Sequence, residues 1–250
     1  MALSSAVEAR LPGPLERGGR VRLWWVPVGP ARVGAWEDLL TEDERARAAS
    51  YRRPADRAAF AARRAGLRLL LAAELGAAPL EVRFGADGLG RPRLENPRGS
   101  DVTFSVSSRG AWAAIALGRG VDVAVDLEQL VDLPFDELAA YALGPDEREA
   151  IRGSRDPRRA FFEAWTRFEA LVKLEGRGLA AALAERVGGA AEVANVPAPE
   201  GYVAALAVAT PRSGPLGERR WPPRGPVLLG ERRRLDLALR RQRRQLQAPA

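Results

Sequence analysis

The chain has 250 residues, 46% of them hydrophobic, and a formal net charge of +7. It contains no cysteine and no histidine. Those absences exclude disulfides, thiolate and imidazole metal sites, thiol nucleophiles and every Ser-His-Asp scheme. Catalysis would have to run on carboxylates, hydroxyls, Arg or Lys, and a metal would have to be a hard, oxygen-preferring one.

Residues 1–20, rich in Gly, Pro and Arg, read as a loose leader without the basic and apolar regions of a secretion signal. No run of 18 uncharged apolar residues follows, so a cytoplasmic chain that does not engage a membrane is expected. Val21–Val28 is a plausible first strand. Trp36–Leu40 and Glu42–Arg53 are helical in pattern. Pro54 and Asp56 open a long helix through Leu75, closed by Gly76 in the left-handed conformation that ends helices. Val102–Ser107 and Trp112–Leu117 flank a Ser108-Arg109-Gly110 turn, and Gly118-Arg119-Gly120 leads into Val121–Glu128. This region reads as a three-strand antiparallel meander. On its last strand Val121, Val123, Val125 and Leu127 share one face. Asp122, Ala124, Asp126 and Glu128 share the other, so half the strand is expected in the core and half in an acidic ridge.

Pro134–Ile151 suggests a loop and a helix. A longer helix starts at Asp156-Pro157, runs to about Leu174 and is broken by Gly176 and Gly178. Gly201–Ala209 reads as the final strand. Residues 211–250 then carry 11 Arg against Glu218, Glu231 and Asp236, whereas residues 1–210 net −1. The basic character belongs to this tail, read as disordered or partly helical, and its one aromatic, Trp221, makes a poor base-stacking platform.

Asp126 and Glu128 stand two apart on one strand face, with Cα atoms roughly 6.5–7 Å apart. Two such carboxylates can converge on a cation, or can form a solvated strand face. Glu169 and Lys173 share a helix face with Trp165, either as an ordinary surface pair or as chemistry. Lys173 is the single lysine beside 38 arginines. In a composition that otherwise uses Arg, one retained ammonium hints at a need for its compact charge, with chance survival as the alternative. Three carboxylates and one ammonium suit displacement at phosphorus.

Val123-Ala-Val-Asp-Leu-Glu128 resembles the (V/I)-G-(V/I)-D-(I/V)-E motif of Sfp-type phosphopantetheinyl transferases. Trp165-Thr-Arg-Phe-Glu-Ala-Leu-Val-Lys-Leu-Glu-Gly-Arg-Gly-Leu179 resembles their W-(S/T/A)-x-K-E-(S/A)-x-x-K-x-x-G-x-G-L motif. Phe104-Ser-Val-Ser-Ser-Arg-Gly-Ala-Trp112 and Gly90-Arg-Pro92 look like two further family segments, so the resemblance runs from about Val21 to Thr210. It implies an α+β fold of two similar halves related by a pseudo-twofold axis, 21–119 and 120–210, each a small antiparallel sheet on helices with the active site between them. It also implies transfer of phosphopantetheine from coenzyme A to a serine of an apo carrier protein by a magnesium- or manganese-dependent monomer. On that resemblance Asp126, Glu128 and Glu169 match metal ligands, Glu169 doubles as the base, and Lys173 matches the lysine on the coenzyme A phosphate. Ser107 and Arg91 match residues lining the nucleotide site, and Arg47 and Arg64 are candidates for its 3′-phosphate.

Three positions depart from the family pattern. Ser108, among the coenzyme A-contacting positions, stands where the family has histidine. Phe168 replaces a motif lysine, and Ala124 replaces a glycine. Two other readings follow from the sequence: a coenzyme A-binding member that does not transfer, and an anionic-surface or nucleic-acid binder acting through the tail.

Overall fold

Side-chain alternation along the strands sets the layers of this protein. The computed structural model describes residues 15–17, 19–28, 36–86, 92–96, 100–176 and 191–209. Its strands are β1 (Leu15–Arg17), β2 (Val21–Pro27), β3 (Arg83–Ala86), β4 (Pro92–Asn96), β5 (Val102–Arg109), β6 (Trp112–Arg119), β7 (Val123–Gln129), β8 (Ala191–Val196) and β9 (Tyr202–Ala209). Its α-helices are α1 (Glu42–Ala49), α2 (Pro54–Leu75), α3 (Asp136–Ala142), α4 (Pro145–Arg152) and α5 (Pro157–Glu175). The architecture is α+β. A four-stranded antiparallel sheet has the order β1-β2-β6-β5, a three-stranded one has the order β7-β9-β8, and β3 pairs with β4 alone.

Odd-numbered residues of β2 and even-numbered residues of β6, including Leu23, Ala114 and Ala116, face the three-stranded sheet, which returns Val125, Leu127 and Leu206. The opposite face, with Trp24, Val26 and Ile115, packs on α2. The layer order is therefore α2, four-stranded sheet, three-stranded sheet, α5. On the outer side Ala170 of α5 lies on Ala124 of β7 and Ala205 and Ala207 of β9, all four at most 1% exposed. Side chains this small let the helix axis come close to the strands.

The two long helices end where their sequences place the signals. Pro54 opens α2 and Gly76 closes it at φ 64°. The Asp156 carboxylate caps α5 by accepting from Arg159 N at 2.9 Å, and Gly176 closes it at φ 72°. Such a cap contributes about 1 kcal/mol. The expected strands at 21–28, 102–107, 112–117 and 201–209 are all present within a residue or two.

The meander expectation needs correction. Strands β5 and β6 do pair, but they run on to Arg109 and from Trp112, so Ser108 and Arg109 are strand residues. Strand β7 does not pair with β6. It pairs with β9, Asp126 opposite Ala205 and Glu128 opposite Val203. The reason is that β6 has no free edge, lying between β2 and β5.

The other edge of β7 runs beside β5 and is satisfied by hydroxyls instead of a backbone ladder. Ser105 Oγ accepts from Val125 N at 3.1 Å, Ser107 Oγ accepts from Leu127 N at 3.2 Å, and Thr103 Oγ1 donates to Val121 O at 2.6 Å. Ser105 and Ser107 thus replace carbonyls, and Thr103 an N–H, that a neighbouring strand would offer. The approach is tight: a Cβ on Gly118 would fall 2.6 Å from Val121 O and 2.8 Å from Thr103 Oγ1.

The acidic-ridge expectation is also corrected. Because α5 covers the outer face of β7, Ala124 is 1% and Asp126 4% exposed. Strand β8 was missing from the sequence reading, as were the β3–β4 pair and β1, which lies inside the segment read as a leader and pairs antiparallel with β2. Arg91, Gly178 and residues 211–250 lie outside the described residues.

Candidate active site

The alanine patch under α5 brings Lys173 across β7. Its Nζ donates to Asp126 Oδ1 at 2.5 Å, to Ser107 Oγ at 3.1 Å and to Val125 O at 3.3 Å. Ser107 Oγ in turn donates to Asp126 Oδ1 at 3.0 Å. One strand residue from each sheet and one helix residue therefore meet at a point. Ser107 links them because its hydroxyl also serves the Leu127 amide. The Asp126 side chain is 6% exposed and that of Lys173 30%, so the lysine side chain is partly open to solvent.

Glu128, two residues on, shares this face. Its Oε2 lies 2.6 Å from Arg109 Nε. The Arg109 N–H is not aimed at it, so the contact is an ion pair without a formed hydrogen bond. Burial pushes the Glu128 carboxyl up to about 7. Arg109 opposes that rise most strongly, Asp126 and Glu169 add to it, and Lys173 pulls against it. Glu169, on α5 one turn before Lys173, is thus within electrostatic reach of Glu128.

The carboxylate cluster is charged, partly desolvated and all-oxygen. Asp126 Oδ2 is buried without a hydrogen-bond donor. These features fit a hard divalent cation. Among the described residues no three carboxylates form a closed metal cage. Magnesium does not require one, since it is held by one or two carboxylates, waters and substrate phosphate oxygens.

The sequence-derived candidates fall into two groups. Asp126, Lys173 and Ser107 come together around β7 with Glu128 beside them, and Glu169 stands one turn before Lys173 on α5, within electrostatic reach of Glu128. Arg47, Arg64 and Ser108 lie on the α2 side of β5, since Ser108 points opposite to Ser107 along the strand. Arg64 Nε lies 3.2 Å from Glu44 Oε1 and its guanidinium covers Phe84, while Arg47 covers Phe60. Phe168 tilts against Trp165 with ring centroids 6.2 Å apart. Ala124 adds its methyl to the patch under α5.

Two residues were missed by sequence reasoning. Arg109, seen there as a turn residue, is the cation beside Glu128. Arg63, whose Nη1 donates to Ser108 Oγ at 2.7 Å, was indistinguishable from the other arginines of α2. Helical spacing carries no sign of which arginine of a long helix meets a particular strand.

Residues 120–213 match the model of the 4'-phosphopantetheinyl transferase superfamily. Over 167 residues the chain is 32% identical to the 4'-phosphopantetheinyl transferase HetI of Nostoc sp., a match spanning 64% of this chain and 70% of that protein. Over 165 residues it is 28% identical to a provisionally named 4'-phosphopantetheinyl transferase of Synechocystis sp., spanning 65% and 67% of the two chains. The matched segment contains β7, α5 and every residue of the carboxylate–lysine cluster, and with these relatives it shows that the chain belongs to the 4'-phosphopantetheinyl transferase superfamily.

Proposed function

We propose that this protein transfers the phosphopantetheinyl group of coenzyme A to the hydroxyl of a serine on an apo carrier protein. The serine oxygen forms the new bond to the phosphorus that bears pantetheine. The bond from that phosphorus to the bridging oxygen breaks, and 3′,5′-ADP leaves. Glu169 receives the serine proton, and Lys173 neutralises the departing phosphate. The observation that supports this reading best is the convergence of Lys173, Ser107 and Asp126 beside the desolvated Glu128.

Asp126, Glu128 and Glu169 are the residues that would hold magnesium, or manganese in its place. Bound there, the ion supplies charge neutralisation for the diphosphate. Ser107 orients Lys173 and Asp126 at once, so the ammonium is positioned before substrate arrives. Preorganised charge of this kind stabilises the transition state without reorganisation at the moment of reaction.

The same reading assigns residues 21–119 and 120–210 to two halves related by a pseudo-twofold axis. Its support is that each sheet carries one long helix on its outer face, α2 and α5. The reaction centre then lies where β5 of one half meets β7 of the other.

Purified apo carrier proteins incubated with this protein, coenzyme A and magnesium test the proposal by intact mass. A gain of one phosphopantetheinyl group is expected, with release of 3′,5′-ADP. Unmodified mass across fatty-acid, polyketide and peptide-synthetase carriers would refute it.

A further inference from the structure

Thr103, Ser105 and Ser107 turn one face of β5 towards β7, and Arg109 is the next residue on that face. Its backbone is held from the other sheet. Ala111 N donates to Tyr202 Oη at 3.1 Å. Gly110, just before it, stands at φ 55° against the Tyr202 hydroxyl and the Gln129 side chain, with no room for a Cβ. The tip of the β5–β6 hairpin is thus fixed, and it delivers the Arg109 side chain to Glu128, with Nε 2.6 Å from Oε2.

The two cations of the cluster are held differently. Lys173 Nζ donates to three acceptors, Asp126 Oδ1 among them at 2.5 Å. Arg109 makes an ion pair without a formed hydrogen bond, and its side chain is 27% exposed. A charge-assisted hydrogen bond is strong, whereas a partly exposed ion pair is weak. Lys173 is therefore anchored, and Arg109 is the cation that can be moved.

Asp126 Oδ2 and Glu128 Oε2 are both buried without a hydrogen bond. One belongs to each of the two strand residues that would hold magnesium, and Arg109 stands against the second. A divalent ion on Glu128 Oε2 would meet the guanidinium at contact distance, where like charges repel strongly. The net charge acts in the same direction. Ionised Asp126, Glu128 and Glu169 with Lys173 and Arg109 carry −1 together, and −2 without Arg109. Resting on the metal site proposed above, we infer that Arg109 is an internal counter-ion: it neutralises Glu128 until the metal binds, is then displaced, and so sets the magnesium concentration at which the site fills.

The test reads magnesium affinity by calorimetry on the full chain, without nucleotide or carrier. It is run at pH 8.5, above the value of about 7 to which the Glu128 carboxyl is pushed. Arg109→Ala should bind magnesium at least about tenfold more tightly than wild type, a change of about 1.4 kcal/mol. Arg109→Lys keeps the charge and should stay within about threefold of wild type. In a Glu128→Gln background Arg109→Ala should give no such gain, a dependence that a merely structural arginine would not show. Unchanged or weaker binding by Arg109→Ala, a gain that Arg109→Lys shares in full, or a gain that survives in Glu128→Gln would overturn the assignment. So would the absence of binding by wild type and Arg109→Ala alike. If Arg109→Ala does not fold, Arg109→Gln decides by the same criteria. Carrier modification is read separately. Magnesium affinity that follows Arg109 while every carrier stays unmodified refutes the transfer reaction and not the counter-ion. Modified carriers with a magnesium affinity indifferent to Arg109 refute the counter-ion alone.

Discussion

Replacing Lys173 with arginine is the sharpest test of the reaction centre, because it keeps the charge and changes only its shape. Three acceptors converge on the single Nζ: Asp126 Oδ1 at 2.5 Å, Ser107 Oγ at 3.1 Å and Val125 O at 3.3 Å. An ammonium has three N–H groups on one atom and can satisfy all of them. A guanidinium spreads its donors around a planar carbon, so at least one acceptor loses its partner. A hydrogen bond to a charged group contributes about 1.5–3 kcal/mol, so one loss corresponds to roughly a tenfold to hundredfold fall in rate. Single-turnover transfer to an apo carrier at saturating coenzyme A, with the fold checked by circular dichroism, measures it. Lys173→Ala removes the charge altogether and should lower kcat by about 10²–10³, with a smaller effect on KM, since the contact strengthens in the transition state. A wild-type rate from folded Lys173→Arg would refute the reasoning and make this lysine one more cation in an arginine-rich chain.

Three further outcomes are expected. Transfer should cease in excess EDTA and return with magnesium or manganese but poorly with zinc, for which the site offers no nitrogen or sulfur ligand; activity surviving chelation would exclude the metal assignment. Glu128, pushed up to about 7 from an ordinary value of 4.5, keeps its proton in the folded chain over a range where the unfolded chain has lost it. Its contribution to stability is therefore full below about pH 4.5, declines as pH rises towards 7, and is constant above. In EDTA, urea midpoints at pH 5.5 and 7.5 should differ more for wild type than for Glu128→Gln, and identical differences would contradict the desolvated carboxyl. Finally, Ala170→Leu on α5 should overpack its contact with Ala124, Ala205 and Ala207 beneath, costing about 1–3 kcal/mol. It should also lower kcat by lifting Lys173 away from Ser107, so a destabilised variant with undiminished single-turnover rate would show that α5 does not set the lysine's reach.

The sequence alone was sufficient for whatever is encoded within a few residues. Pro54 and Gly76 delimit α2, and Asp156, Pro157 and Gly176 delimit α5, because caps and left-handed glycines act locally. The alternation of β7 put Asp126 and Glu128 on one face, and the spacing of Glu169 and Lys173 put those two on another. Motif resemblance joined the two pairs. Tertiary structure decided the rest. Which strand β7 would pair with depended on which edges remained free, and β6 was already flanked by β2 and β5. The acidic face of β7 was read as a ridge because its own alternation cannot report that α5, forty residues later, would cover it. The hydroxyls of Thr103, Ser105 and Ser107 looked like ordinary strand residues, yet they replace a missing ladder and carry one contact into the site. Arg63 and Arg109 acquire meaning through partners 45 and 19 residues away, Ser108 and Glu128. Periodicity reports which residues of one element share a face, whereas a site of this kind is set by which faces of different elements meet.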